Sequence, residues 1–87
     1  MLNLPEIANE EEINEFKQAI SDNVKRIRQE KKFSQLEVAL SIGQKSSGFY
    51  ANAENNSHDK HFNLVHLYKI AKLFEVDVCK LLEQEEG

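Results

Sequence analysis

Apolar residues recur at steps of three and four along nearly the whole chain, and the single proline, Pro5, lies close to one end of it. A half-buried strand would demand alternation of apolar and polar residues, which is nowhere sustained, so the pattern predicts an all-α fold. Residues 10 to 32 hold Ile13, Phe16, Ile20, Val24 and Ile27 on one helical stripe. A break at Ser21-Asp22, with Ser21 capping a new helix, is the alternative to one long helix. The unbroken stripe favours continuity.

Phe33 closes this helix and Ser34 opens the next, because Ser34 and Glu37 have the spacing of a capping box, in which each side chain satisfies the other residue's orphan N–H. Val38, Ala39 and Ile42 give the second helix its core face, and Gly43 supplies the left-handed residue that ends it. A third helix begins at Ser46 or Ser47, either a plausible cap, and runs to Asn55 with Tyr50 and Ala53 inward. Residues 55 to 62 are polar and read as a loop. Asn63 can cap a fourth helix bearing Leu64, Leu67, Ile70, Ala71 and Phe74, and Asp77 a fifth bearing Val78, Leu81 and Leu82. Helix, glycine turn and short helix in this order form the layout that sets one helix into the major groove of DNA.

A formal charge of -4 is at odds with a polyanionic partner. Its distribution resolves the conflict. Residues 1 to 20 hold five acids and one base, Lys17, and 83 to 87 hold three acids and no base, whereas residues 21 to 82 carry ten Lys and Arg against seven Asp and Glu. The division expected is an acidic, apolar extension over 1 to 20 continuing into helix 1, a mildly basic body over 21 to 82, and an acidic tail over 83 to 87. At 87 residues a chain buries only roughly 60 to 65 % of its unfolded surface, so a single domain is expected, with a second subunit contributing to its stability. The lone Cys79 can form no internal disulfide, no apolar run reaches membrane-spanning length, and the Glu-rich start lacks the marks of a signal peptide. A soluble, cytoplasmic protein without membrane association is expected.

From Val24 to Leu82 the chain resembles the phage-repressor-type (Cro-like, Xre-like) helix-turn-helix family. The resemblance is carried by Val24-Lys-Arg-Ile27-Arg28, by Phe33-Ser34-Gln35 with Val38-Ala39 and Gly43, by Glu54-Asn55, and most firmly by the run from Asn63 to Val76. It implies a five-helix, lambda-repressor-like DNA-binding domain, here with an N-terminal helical extension, that acts as a dimeric transcriptional repressor on double-stranded DNA, with no enzyme activity and no cofactor. It places Gln35 where the second helix meets the phosphate backbone, and Arg28 and Glu54 where an ion pair ties the first helix to the end of the recognition helix. Chain chemistry at the start of a recognition helix, where the dipole and free N–H groups favour phosphate, makes Lys45, Ser46 and Ser47 base-contact candidates. Asn52 has the amide that pairs with adenine. Lys25, Lys32, Asn55 and Lys60 are candidates for phosphate contacts.

The chain departs from the family pattern between Gly43 and Leu64. It has one residue more between Gly43 and Glu54, and about two more from Glu54 to Leu64. Gly48 falls where a side chain often reads a base. Phe49 points toward DNA, where it could pack on thymine methyls, if Tyr50 is the core residue; the added residue could equally exchange the two rings. His58, His61 and His66 invite a metal reading, set aside in favour of loop surface and phosphate contact because no cysteine lies near them. Cys79 reads as a small core residue of the last helix. Ile13 and Phe16, with Leu2, Leu4 and Ile7, and also Leu36 and Leu40, need cover: the N-terminal segment folding back, or a dimer. Within this class an antitoxin-type or controller-type autorepressor fits the same sequence, with the N-terminal extension meeting a protein partner. A protein-interaction module that keeps the fold without DNA binding is the rival of a different kind.

Overall fold

The computed structural model describes residues 5–84, which form five α-helices and, among the described residues, no strand. Leu2, Leu4 and most of the acidic tail lie outside them. The order is α1 (Glu10–Glu30), α2 (Gln35–Ser41), α3 (Gly48–Glu54), α4 (Leu64–Phe74) and α5 (Cys79–Leu82).

Helix α1 is continuous. Asn9 caps it by accepting the Glu12 N–H at 2.8 Å, and Glu10, Glu11 and Glu12 oppose the positive end of its dipole. Ser21 lies in its middle and starts no new helix; it is buried, and its hydroxyl donates to the Ala53 carbonyl of α3 at 2.8 Å. The apolar stripe divides into two parts. Val24 and Ile27 are buried in the core with Val38 and Ala39 of α2, Tyr50 of α3 and Ile70 and Phe74 of α4, while Ile20 packs at its margin. Burial is worth about 1.5–3 kcal/mol for each large apolar side chain. Ile13 and Phe16 stay 41 % and 44 % exposed, because 21 residues of helix outrun the body they pack on.

Helices α2 and α4 start with reciprocal caps. Ser34 Oγ accepts the Glu37 N–H at 3.0 Å, and Glu37 returns a carboxylate oxygen to the Ser34 N–H at 2.9 Å. That backbone bond holds the Glu37 carboxyl below its ordinary range. Asn63 and His66 repeat the arrangement, with Asn63 Oδ1 accepting the His66 N–H at 2.7 Å and His66 Nδ1 accepting the Asn63 N–H at 3.3 Å. An imidazole can do this only while Nδ1 is unprotonated, and burial together with the Lys69 charge pushes its pKa down.

The first four helices end in the same turn. A residue with positive φ follows the helix, and the next N–H reaches back five residues: Phe33 to Arg28, Gln44 to Ala39, Ser57 to Asn52 and Val76 to Ala71, all at 2.9–3.1 Å. Gly43 fills the left-handed position once, at φ 91; Lys32, Asn56 and Glu75 fill it elsewhere, at φ 64, 53 and 58. The final helix is a single turn. Asp77 accepts the Cys79 N–H at 2.8 Å, and Leu81 supplies the fully buried side chain. Cys79 is thereby turned outward and is exposed, contrary to its expected place in the core. The adjacent Asp77 carboxylate pushes the thiol pKa up.

Candidate nucleic-acid interface

The C-terminal end of α3 is fixed by a buried polar cluster. Glu54 is 2 % exposed and receives two bonds from the Arg28 guanidinium, Nε to Oε2 at 2.8 Å and Nη2 to Oε1 at 3.0 Å. Gln35 Nε2 donates to Oε1 at 3.2 Å, and the Tyr50 hydroxyl donates to Oε2. Arg28 also donates to the Phe33 carbonyl at 2.9 Å, so one guanidinium joins α1, the α1–α2 turn and α3. Burial by itself would raise the Glu54 carboxyl; the bonds from Arg28, Tyr50 and Gln35 and the Arg28 charge outweigh it, and the net shift is downward. Burial first, and then the carboxylate it serves, push the Tyr50 phenol upward. Such a cluster fixes orientation more than it adds stability, because desolvation offsets most of the attraction.

The opposite end of α3 is loose. The helix starts at Gly48, so Lys45, Ser46 and Ser47 stand in the bend before it rather than in its first turn. Ser47 makes no cap bond: its φ of -82 and ψ of -4 are helical, whereas a capping residue needs extended backbone to turn its oxygen onto the following N–H groups. Lys45, Ser46 and Gly48 are exposed and Ser47 is half-buried.

The remaining candidates divide by what they touch. Tyr50 is the core aromatic, and the Phe49 ring rests half-buried against His66, centroids 5.2 Å apart, linking α3 to the start of α4. Asn52 is half-buried with Oδ1 accepting from the Ser57 hydroxyl at 3.2 Å. Gln35 commits one N–H to Glu54 and has a second to give. Lys25, Lys32, Lys45, Asn55 and Lys60 are exposed, and none of these four lysines pairs with a described carboxylate. The extra residues of the α3–α4 connection fold as a tight loop with Asn56, His58 and Asp59 at positive φ, where Asn, Asp and His are the better tolerated residues. His61 Nε2 faces Asp59 at 3.2 Å in the same loop.

Sequence reasoning gave three contributors other roles. Ser21 was legible as a small polar residue three positions before Val24 on the apolar stripe. The Tyr50 hydroxyl, hidden behind a ring assigned to the core, gave no signal. His66 occupies the third helical position after Asn63, where a capping box ordinarily has Glu or Gln.

No helix among the described residues is long and apolar enough to cross a membrane. No curated protein and no solved structure matches the chain. A family model described as Helix-turn-helix matches residues 24–81, which takes in the last third of α1, all of α2, α3 and α4, and most of α5. With that match over about two thirds of its length, and with a short helix anchored behind a glycine turn, the chain belongs to the phage-repressor-type (Cro/C1-type) helix-turn-helix family of DNA-binding regulators.

Proposed function

We propose that the protein is a cytoplasmic, homodimeric repressor that binds a twofold operator and blocks transcription by occupying it. The observation that carries this reading is the asymmetry of α3, clamped to α1 and α2 at Glu54 while Lys45, Ser46 and Gly48 project without internal side-chain partners. In the bound state the segment 45–52 enters the major groove, with Lys45, Ser46, Ser47, Phe49 and Asn52 toward base edges. Gln35, Lys25, Lys32, Asn55 and Lys60 meet phosphates. Base-edge pairs of this kind are each worth about 1–3 kcal/mol of discrimination. Dimerisation follows from readout: one module spans few base pairs, and paired recognition helices must lie about 34 Å apart to meet successive turns of one groove.

Selection of bound sequences from random duplex DNA, with the mass of the complex recorded, tests the reading. The expected result is a palindromic consensus bound by two chains, with affinity falling steeply as salt rises. Equal, weak binding of selected and random duplex would overturn it in favour of an interaction module on the same fold. The exposure of Ile13 and Phe16 outside the DNA-binding body supports an antitoxin-type or controller-type autorepressor that also takes a protein partner.

A further inference from the structure

The stripe of α1 that builds the core continues past it. Ile20 packs at the core margin; Phe16 and Ile13, one and two turns earlier, are about half exposed, and Ile7 is fully so. Against them lies a concavity of 400 Å³ lined by Ala8, Glu12, Ile13, Glu15, Phe16 and Gln84. A second concavity, of 540 Å³, shares Glu15 and continues past Ala19 and Asp22 to Arg26, with Glu83 on its border. Glu83 and Gln84 are consecutive, so a single stretch of chain edges both hollows. Asn23 pins that stretch, its Nδ2 donating to the Leu81 carbonyl at 3.1 Å and the Glu83 carbonyl at 2.7 Å. From Glu12 to Arg26 the hollow follows α1 for about 21 Å, or four helical turns.

Charge identifies the occupant. Residues 5 to 16 contain five glutamates and neither Lys nor Arg. Farther along, Asp22 accepts from Gln18 at 2.9 Å and pairs with no base among the described residues, while Glu83 meets Lys80 and Arg26 meets Glu30, both at 3.4 Å. A second copy of the chain would set this acidic rim against its own likeness, and like charges across an interface are unfavourable. A segment with basic residues flanking an apolar stripe satisfies both the exposed side chains and the rim. We propose that this face of α1 docks a basic amphipathic helix of a partner protein, whose apolar residues cover Ile13 and Phe16 and whose Lys or Arg side chains face Glu12, Glu15 and Asp22. The proposal deepens the autorepressor reading and does not depend on DNA binding.

The probe is a labelled synthetic 18-residue helical peptide of leucine and lysine, with its leucine–glutamate counterpart as control, followed by fluorescence anisotropy on the full chain. The lysine peptide binds, the glutamate peptide does not, and the Ile13→Ser/Phe16→Ser double variant loses about ten-fold or more in affinity at unchanged charge. Helical circular dichroism and DNA binding of the double variant, read on the same samples, stay at the level of the parent, so failure of this proposal is separate from failure of the DNA reading. Equal affinity of parent and double variant would reduce the effect to diffuse charge and overturn the proposal. So would conversion of a dimer to a monomer by the double substitution in sedimentation equilibrium, which would make a second copy the occupant. Binding that appears only once residues 1–4 are removed would assign the face to the chain's own N-terminus.

Discussion

The two ends of α3 are built on opposite principles. At Glu54 the helix is buried, bonded to Arg28, Gln35 and Tyr50, and held a residue earlier by Ser21 on the Ala53 carbonyl. At Gly48 it begins uncapped, behind a bend whose side chains make no internal bonds. On the proposed reading of DNA by α3, this division serves the contact. A fixed far end sets its angle to the rest of the domain, while a near end left unsatisfied keeps donors available for a ligand that supplies acceptors.

The largest test strikes the anchored end. Glu54→Ala removes the acceptor of three side chains and leaves Arg28 partly buried without its partner, and is expected to lower unfolding stability by about 3–5 kcal/mol in urea titration. A loss under about 1 kcal/mol would show that the cluster is not an anchor. The same carboxyl sets an acid limit. Its pKa is depressed in the fold, so its contribution is complete above the unfolded value of about 4.3 and disappears as pH falls through the lower folded value. A pH series of urea midpoints should fall in that acid range for the parent and fall less for Glu54→Gln.

Tyr50→Phe keeps the packed ring and deletes one bond to the buried carboxylate, with an expected loss of about 1.5–3 kcal/mol. At the loose end the effects move from stability to binding. Lys45→Ala should leave the urea midpoint within about 0.5 kcal/mol of the parent. If Lys45 meets a phosphate, the slope of log affinity against log salt decreases by about 0.9; if it reads a base, selectivity falls instead. Opposite in sign is Gly48→Ala. A Cβ there would meet only Ser46 Oγ at 3.9 Å, so the substitution should stabilise α3 by at most about 1 kcal/mol. A simultaneous fall in operator affinity would mean that the backbone at Gly48 closely approaches DNA; unchanged affinity would move the contact elsewhere along 45–52.

Helix existence was legible because apolar spacing of three and four is a property of the residues alone. So was the start of α2, where Ser34 and Glu37 carry their own capping geometry in their spacing. Long-range polar pairing was less accessible. Ser21 and Ala53 are 32 residues apart, and nothing local to Ser21 says whether its hydroxyl caps a helix or ties two together. At the start of α3, Ser47 holds the expected cap position but its backbone is helical and its hydroxyl makes no cap bond, because that conformation is decided by how six connecting residues close the α2–α3 turn. Cys79 was misplaced because a helix of four residues has too little periodicity to fix its inward face.

The recurrent helix-ending turn gives the chain an uneven thermodynamic reserve. A left-handed residue with a Cβ is strained by roughly 1–2 kcal/mol relative to glycine, and Lys32 and Glu75 both carry that strain where Gly43 does not. Glu75 lies at the far end of α4, where exchange for glycine is an uncomplicated gain in melting temperature. Lys32 is different, because its position retains a positive charge beside the Arg28 and Gln35 end of the domain. Glycine there would yield a more heat-resistant protein with a weaker field toward a polyanion. One backbone position thus sets endurance against reach, and a thermostabilised form of this regulator should be sought at residue 75 before residue 32.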